Sequence, residues 1–230
     1  MTSPHSHSVV ISSSLGGIVL CGGASRRMGQ PKLSLPFGSE FSLQRVVRQL
    51  GAIVSRVIVV AAPDQDVPLL PSNVTLHRDN VANCGPMAGL VVGLETLAES
   101  HEAAFVTSCD APFLVPDFVQ QLWLQMLGST RDDIDTSPGI PITYDIAVPQ
   151  EGDFFHPLAA IYRTQLASVV RERLATNSYS LQGLIKESSV CAVPIEKLRL
   201  VDPDLLTLRN INTYEDYLSA LQVAKALDEV

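Results

Sequence analysis

The chain has 230 residues and a formal net charge of −8, and 46% of its residues are hydrophobic against 17% charged. This length suits one medium-sized α/β domain, and the composition is typical of a globular protein rather than a disordered one. A general nucleic-acid binder is normally basic, so the acidic balance argues against that class of function.

The sequence contains no sign of export or membrane insertion. No run approaches the roughly 20 apolar residues of a membrane span, and the N-terminus lacks the positive segment of a signal peptide. The four cysteines are widely spaced and form no Cys-x-x-Cys pair, which indicates free thiols in a reducing compartment. We therefore expect a cytoplasmic protein that binds no membrane.

The charge is unevenly distributed along the chain. Residues 1–63 hold six basic residues and one acidic residue, whereas residues 64–230 hold ten basic and 23 acidic residues. Three of those first six basic residues, Arg26, Arg27 and Lys32, lie in one glycine-containing stretch. Glycines paired with cations suit an anion such as a phosphate chain.

Short apolar runs alternate with helical patterns from Leu15 onward, after a predicted disordered tail over residues 1–13. The predicted strands are 15–21, 56–62, 73–78, 103–109, 145–149, 157–162 and 190–195. The predicted helices are 42–52, 87–99, 116–127, 164–175 and 213–227, and residues 128–144 are predicted to form a long exposed loop. Strands this apolar are typically buried on both faces. We therefore predict one three-layer α/β domain over residues 14–230, with a mainly parallel, Rossmann-like sheet between helices. The close pair 145–149 and 157–162 leaves room for one antiparallel strand.

The first candidate site follows the first strand, where residues 20–32 read LCGGASRRMGQPK. In open α/β sheets, ligands bind beyond the carboxyl ends of the strands. Gly22 and Gly23 allow backbone N–H groups to approach a phosphate, and Arg27 and Lys32 can add charge-assisted hydrogen bonds. The glycines alone are equally consistent with a tight turn.

Three further motifs carry polar groups near predicted strand or helix ends. Asp110 follows the strand 103–109 and suits either Mg²⁺ or a helix cap. The stretch 85–89, Gly-Pro-Met-Ala-Gly, begins a helix whose free N–H groups suit a polar ligand or simply an ordinary helix start. Asn210 and Asn212 point the same way if this stretch is extended, so that one can cap the last helix while the other reaches a ligand or metal; Thr213 is an equally good N-cap.

Taken together and in order, LCGGASRRMGQPK, RDN…GPMAGL, SCDAPF, HPLAAIYR and NINTYEDY resemble the molybdenum cofactor guanylyltransferase family. The resemblance covers nearly the whole chain and implies a nucleotide-diphospho-sugar transferase-like fold. It implies that a phosphate of molybdopterin attacks the α-phosphorus of GTP, so that pyrophosphate leaves and molybdopterin guanine dinucleotide forms. The implied partners are GTP, molybdopterin and proteins of cofactor biosynthesis or molybdoenzyme apoproteins.

The resemblance also implies roles for individual residues. Arg27, Lys32 and Asp110 would be catalytic, with Asp110 binding Mg²⁺. The second substrate would contact His156, Asn210 and Asn212, although His156 could equally be a structural histidine. The nucleotide would be bound by Leu20, Cys21, Gly22, Gly23, Lys32, Asp79, Gly85 and Gly89. Because the attacking phosphate is already a nucleophile, positioning and charge stabilisation would suffice for catalysis.

Two departures from the family pattern leave alternatives open. Many members carry Ala-Asn-Arg, which helps to read guanine, where this chain has Ala61-Ala62-Pro63. The stretch Gln30-Pro31-Lys32 is frequent in related cytidylyltransferases. Those relatives usually have Ala-Ala-Gly in place of Cys21-Gly22-Gly23 and lack the Gly-Pro-x-x-Gly of residues 85–89, so these two features favour GTP. The alternatives are a CTP-dependent enzyme for the same cofactor, a sugar-phosphate nucleotidyltransferase, or a non-catalytic carrier of nucleotide or cofactor. Retention of both Lys32 and Asp110 favours an enzyme.

Overall fold

The computed structural model describes residues 11–22, 32–79, 84–128 and 144–228. Its main sheet follows the order β10-β7-β9-β6-β1-β4-β5, and the short strand β8 pairs with β7. The strands are β1 (Leu15–Leu20), β2 (Pro36–Phe37), β3 (Glu40–Phe41), β4 (Val57–Ala61), β5 (Val74–Arg78), β6 (Ala103–Ser108), β7 (Ile146–Glu151), β8 (Phe154–Phe155), β9 (Ala159–Arg163) and β10 (Val190–Pro194). All seven predicted strands are confirmed, and the two-residue strands β2, β3 and β8 were not predicted.

The sheet is mainly parallel and contains one long reversed strand. β1 runs parallel to both β4 and β6, β4 runs parallel to β5, and β7 runs parallel to β10. β9 runs antiparallel to both of its neighbours, β6 and β7. The antiparallel strand expected from the close pair 145–149 and 157–162 is therefore confirmed as β9.

Helices cover both faces of the sheet. They are α1 (Ser42–Gly51), α2 (Pro86–Ala98), α3 (Pro116–Met126), α4 (Ala167–Ala175), α5 (Leu181–Glu187), α6 (Ile195–Leu198) and α7 (Tyr214–Asp228). Side chains alternate across each strand, so Val19 of β1 packs with α1 and α3 whereas Ile18 packs with α2, α4 and α5. The predicted three layers are confirmed. The predicted helix 164–175 begins with a 3₁₀ turn, Thr164–Leu166, and α5 and α6 were not predicted.

Two glycines allow α2 to lie close to the sheet. A Cβ atom at Gly93 would lie 2.7 Å from Cδ1 of Ile18, and one at Gly89 would lie 3.0 Å from Cδ2 of Leu20. Side chains at these positions would push the helix away from β1 or displace its core residues. The two glycines thus allow α2 to pack directly against β1 near the carboxyl end of that strand.

The remaining sequence-based expectations concern the chain ends, the loop and the thiols. Residues 1–10 of the predicted tail and residues 129–143 of the predicted loop lie outside the described residues. Residue Ile11, which is described, donates its backbone N–H to the carbonyl of Ile53 at 2.9 Å. All four cysteines lie in the described part of the chain and are free thiols, as predicted. Among the helices of the described ranges, none is long and apolar enough to cross a membrane.

Candidate active site

The strand order places a crevice between the carboxyl ends of β1 and β6. The chain continues from β1 to β4 and β5 on one side, then returns to β6 on the other side of β1. Such a switch point is where open α/β sheets bind ligands. A cavity of about 280 Å³, which we call the main cavity, lies at this point. Its lining comprises Cys21, Gly22, Lys32, Leu33, Gln65, Ser108, Cys109, Asp110, Leu158, Asn210 and Asn212.

Lys32 and Asp110 form an ion pair inside the main cavity. The Lys32 Nζ lies 2.7 Å from Asp110 Oδ2 and donates a second hydrogen bond to Asn212 Oδ1 at 2.8 Å. Only 19% of the Lys32 side chain and 17% of the Asp110 side chain are exposed, so water screens this pair less than a surface pair. The structure therefore brings together three residues that lie far apart in the sequence.

Ser108 holds the other oxygen of the Asp110 carboxylate. The Ser108 Oγ donates a short hydrogen bond to Asp110 Oδ1, while Lys32 occupies Oδ2. Both carboxylate oxygens are thus fixed by side chains, which orients the group toward the cavity. Sequence reasoning did not single out Ser108, although its place two residues before Asp110 was the available signal.

The segment before α7 is attached directly to the Asp110 loop. The backbone N–H of Ile211 donates to the carbonyl of Asp110 at 2.9 Å. Thr213 caps α7, because its Oγ1 accepts from the Asp216 N–H at 3.1 Å. Asp216 in turn accepts from the backbone N–H groups of Asn212 and Thr213, and these bonds lower its pKa. Of the two predicted N-caps, Asn212 and Thr213, the structure therefore has Thr213, and both asparagines line the main cavity.

Two buried thiols form the base of the main cavity. Cys21 and Cys109 follow the paired ends of β1 and β6, and the Cys109 N–H donates to the carbonyl of Leu20 at 3.1 Å. The hydrogen bond that the Cys109 thiol donates to Cys21, together with burial, raises the pKa of Cys109 well above its usual value. A protonated, buried thiol is a poor nucleophile and a poor metal ligand. Cys109 is therefore unsuited to act as a nucleophile or a metal ligand in this cavity.

A second cavity, of about 140 Å³, adjoins the main cavity. Leu158 and Asn210 line both of them. The second cavity is also lined by Phe154, His156, Pro157, Ala159, Thr207 and Leu208. Apart from His156, none of these described lining residues has an ionisable side chain.

His156 is neutral in this setting at neutral pH. Burial lowers its pKa, and the nearby Glu151 only partly opposes that effect. The closest approach between them is 3.7 Å, from His156 Nε2 to Glu151 Oε2, which is too long for a hydrogen bond. The Nε2 atom is buried and has no hydrogen-bond partner among the described residues. A ligand of the second cavity that reached this nitrogen would satisfy a polar group that is otherwise buried without a partner.

Several expected nucleotide contacts lie away from both cavities. Leu20 is turned toward α2 and packs near Gly89. Gly85 is the N-cap residue directly before α2, and its φ of +58° is a conformation that favours glycine. Asp79 follows β5, with its N–H bonded to the Ala61 carbonyl at 3.0 Å, and burial raises its pKa.

Gly23 and Arg27 lie outside the described residues. Roles for these residues stay predictions.

Gln65 is a further lining residue that sequence reasoning missed. It follows β4, and its Oε1 accepts from the backbone N–H of Ala62 at 3.3 Å. Arg78 fastens the same turn by donating to the carbonyls of Ala62 and Gln65 at 2.8 and 2.6 Å. No sequence signal marked this residue, because the turn of residues 62–65 resembles any short surface connection. Its amide nevertheless borders the main cavity.

Comparison with known proteins identifies the family to which this arrangement belongs. Residues 17–191 match the sequence profile of the MobA-like NTP transferase domain, so the match includes most of β1, all of β6 and Asp110. The chain belongs to this family. The resemblance to molybdenum cofactor guanylyltransferases predicted from the motifs is thereby confirmed.

One curated relative and two solved structures are similar to this MobA-like chain over most of its length. A probable molybdenum cofactor guanylyltransferase of Mycobacterium marinum is 35% identical over 206 residues, covering 88% of this chain and 91% of the relative. Molybdopterin-guanine dinucleotide biosynthesis protein A of Archaeoglobus fulgidus superposes with a TM-score of 0.65 at 19% identity, covering 93% and 98% of the two chains. The 2-C-methyl-D-erythritol 4-phosphate cytidylyltransferase of Thermus thermophilus superposes with a TM-score of 0.57 at 15% identity, covering 93% and 98%. The predicted nucleotide-diphospho-sugar transferase-like fold is confirmed.

Proposed function

We propose that this MobA-like domain transfers GMP from GTP to molybdopterin, forming molybdopterin guanine dinucleotide and pyrophosphate. The observation that carries the proposal is the largely buried Lys32–Asp110 ion pair at the carboxyl ends of β1 and β6, to which the exposed Asn212 adds a hydrogen bond. The Mycobacterium marinum relative, named for the same activity, matches the chain over 88% of its length and supports this choice of substrates.

The reaction needs placement and charge neutralisation rather than a protein nucleophile. An oxygen of the terminal molybdopterin phosphate bonds to the α-phosphorus of GTP. The bond from that phosphorus to the bridging oxygen of the β-phosphate breaks, and pyrophosphate leaves with the electron pair. The Lys32 ammonium offsets the negative charge that shifts to the leaving group. Asn212, which accepts a hydrogen bond from Lys32, and Asp110 keep that ammonium at the mouth of the crevice.

The residues of the main cavity suit a magnesium ion that is shared with the substrate. Mg²⁺ usually takes one or two carboxylates together with substrate phosphate oxygens. Asp110 offers a carboxylate held by Ser108, and Asn212 offers an amide oxygen. Among the described residues, no group of three His, Cys, Asp or Glu side chains could hold a metal without a substrate. Asp110 would hold the ion, which supplies positive charge to the triphosphate when bound.

The choice of GTP over CTP is the part of the proposal that most needs a test. The name of the relative and the glycines at the start of α2 support GTP, whereas Gln30-Pro31-Lys32 supports CTP. The Gln65 amide at the main cavity supplies hydrogen-bonding groups in the turn after β4, where the Ala-Asn-Arg stretch is missing. A site built to hydrogen-bond one base rejects another that leaves its polar groups unpaired.

The test measures pyrophosphate release from the full chain with molybdopterin and each of GTP, CTP, ATP and UTP, with Mg²⁺ or with EDTA. We expect release with GTP and Mg²⁺ to exceed release with any other nucleotide by about 100-fold. EDTA and Asp110→Ala should each abolish release, and the thermal unfolding midpoint of the variant should change little. Preference for CTP would overturn the guanylyl assignment. Failure with all four nucleotides would overturn the enzyme assignment and favour a carrier.

A further inference from the structure

The hairpin of β7 and β8 presents an aromatic ring at the second cavity. Glu151 pairs with Phe154, so Gly152 and Asp153 form a two-residue turn. Gly152 has φ +56°, which tight hairpin turns require at their first central position. The Gln150 side-chain amide donates to the Gly152 carbonyl at 2.8 Å and braces this turn. The position of the next residues is therefore well defined.

The two phenylalanines of β8 have different environments. Phe155 is half-buried against the core under α2, α4 and α5, and its carbonyl accepts from the Gln182 side chain at 2.8 Å. Phe154 points to the other face of the strand, where 55% of it is exposed at the second cavity. Its ring meets His156 edge to face, with 5.1 Å between centroids and 86° between planes. The two rings thus form perpendicular walls of one cavity.

The chemistry of this cavity suits a flat, uncharged heterocycle. The Phe154 ring supplies an aromatic face, and Leu158 and Leu208 add aliphatic surface. His156 Nε2 is buried without a partner, and the Asn210 amide lies at the border with the main cavity. A few polar groups in an apolar surround fix the orientation of a ligand. Since the Lys32 ammonium and the Asp110 carboxylate line the main cavity, an acceptor with a ring at one end and a phosphate at the other would span both cavities.

We propose that Phe154 stacks on the pterin ring of the acceptor, with His156 Nε2 and the Asn210 amide bonding to the polar edge of that ring. This inference rests on the proposed function, which makes a pterin phosphate the acceptor. Phe154 is then a binding residue for the acceptor and makes no contact with the nucleotide. Its ring contributes to the KM for molybdopterin and leaves the KM for GTP unchanged.

The test compares Phe154→Leu, which removes the ring, with Phe154→Tyr, which keeps it. Phe41→Leu is the matched control, because Phe41 is 40% exposed on β3 and lines neither cavity. Stacking on an aromatic ring contributes about 1–3 kcal/mol, so the KM for molybdopterin should rise about tenfold in Phe154→Leu. The tyrosine variant and the control should keep the wild-type value, and thermal unfolding should show all three to be folded. The KM for GTP should not change in any variant.

A second readout separates this inference from the proposed function. Quenching of 6-hydroxymethylpterin fluorescence by the full chain without nucleotide reports ring binding alone, and Phe154→Leu should weaken it about tenfold. Quenching that depends on Phe154 in a protein without turnover would support the stacking and refute the proposed function. An active enzyme with an unchanged molybdopterin KM in Phe154→Leu would overturn the stacking. An equal rise in the KM for GTP would overturn it too.

Discussion

The main cavity and the second cavity lie side by side but differ in charge and in origin. The main cavity is built by residues that follow the parallel strands β1 and β6, and it contains the Lys32–Asp110 ion pair. The second cavity is built largely by residues that precede the reversed strand β9, and among the described residues that line it only His156, whose pKa is lowered by burial, has an ionisable side chain. In the function that we propose, the main cavity holds the phosphate groups and the second cavity recognises the ring.

The direction of β9 explains why these two groups of residues meet. In the antiparallel pair of β6 and β9, Thr107 near the end of β6 lies opposite Ala159 at the start of β9. The residues before β9, including His156 and Leu158, therefore lie at the same edge of the sheet as Asp110. Had β9 been parallel, its start would lie at the opposite edge, far from the crevice. The reversed strand β9 thus places a second cavity beside the main cavity at one edge of a mainly parallel sheet.

Loss of the ammonium from the main cavity should give a large effect, exceeded only by the loss of Asp110. Lys32→Ala removes the charge next to Asp110, and losing one such electrostatic group costs about 100- to 1,000-fold in kcat. The matched control is Lys186→Ala, which removes an exposed ammonium from α5 without touching either cavity. The measurement is pyrophosphate release with GTP and molybdopterin. Full turnover by Lys32→Ala, or an equal loss of turnover in Lys186→Ala, would show that the charge in the main cavity has no special part in the reaction.

A smaller effect should come from hydroxyl groups that support each cavity from behind. Ser42 Oγ donates to the Cys109 carbonyl at 2.8 Å, and the buried Tyr162 hydroxyl donates to the Pro157 carbonyl at 2.8 Å. Ser42→Ala and Tyr162→Phe each leave one carbonyl unpaired, which should lower the free energy of unfolding by about 1–3 kcal/mol. Urea denaturation measures this loss.

The same pair of variants also separates the cavities by substrate. Ser42→Ala should raise the KM for GTP more than the KM for molybdopterin, because Cys109 lines the main cavity. Tyr162→Phe should do the reverse, because Pro157 lines the second cavity. Identical kinetic changes in the two variants would show that the cavities act as one unit.

The sequence predicts the main cavity better than the second cavity. Lys32 and Asp110 stand directly after glycine-rich or apolar runs, and the parallel sheet rule alone brings such residues to one edge. The contact between Ser108 and Asp110 is not predictable in that way, because it depends on side-chain rotamers. The second cavity depends on the register of β9 and on β8, whose two residues carry no periodic signal. The helices α5 and α6 were missed for the same reason, since short elements show less than two full turns of pattern.

The smallest expected effect concerns the pH dependence of the second cavity. Because burial lowers the pKa of His156, the unfolded chain binds a proton at this histidine more readily than the folded chain does. Its contribution to stability is therefore intact above the ordinary histidine pKa of about 6.5 and declines as the pH falls below it. In His156→Gln this decline should be absent, so the difference in unfolding free energy between the two proteins should change only below that pH.

A second variant, at Glu151, should change the acid-side decline of stability in the opposite direction. Glu151 raises the pKa of His156, so Glu151→Gln should lower that pKa further and make the acid-side decline steeper. His101, whose pKa is also lowered by burial and by Arg56, is common to all three proteins and cancels in the comparison. The measurement is urea denaturation from pH 8 to pH 5, with each variant compared with the wild type at every pH. If the difference in unfolding free energy were constant across this range, His156 would have the same pKa in the folded and unfolded chains. The second cavity would then not disfavour a charged imidazolium, contrary to what its mostly uncharged lining implies.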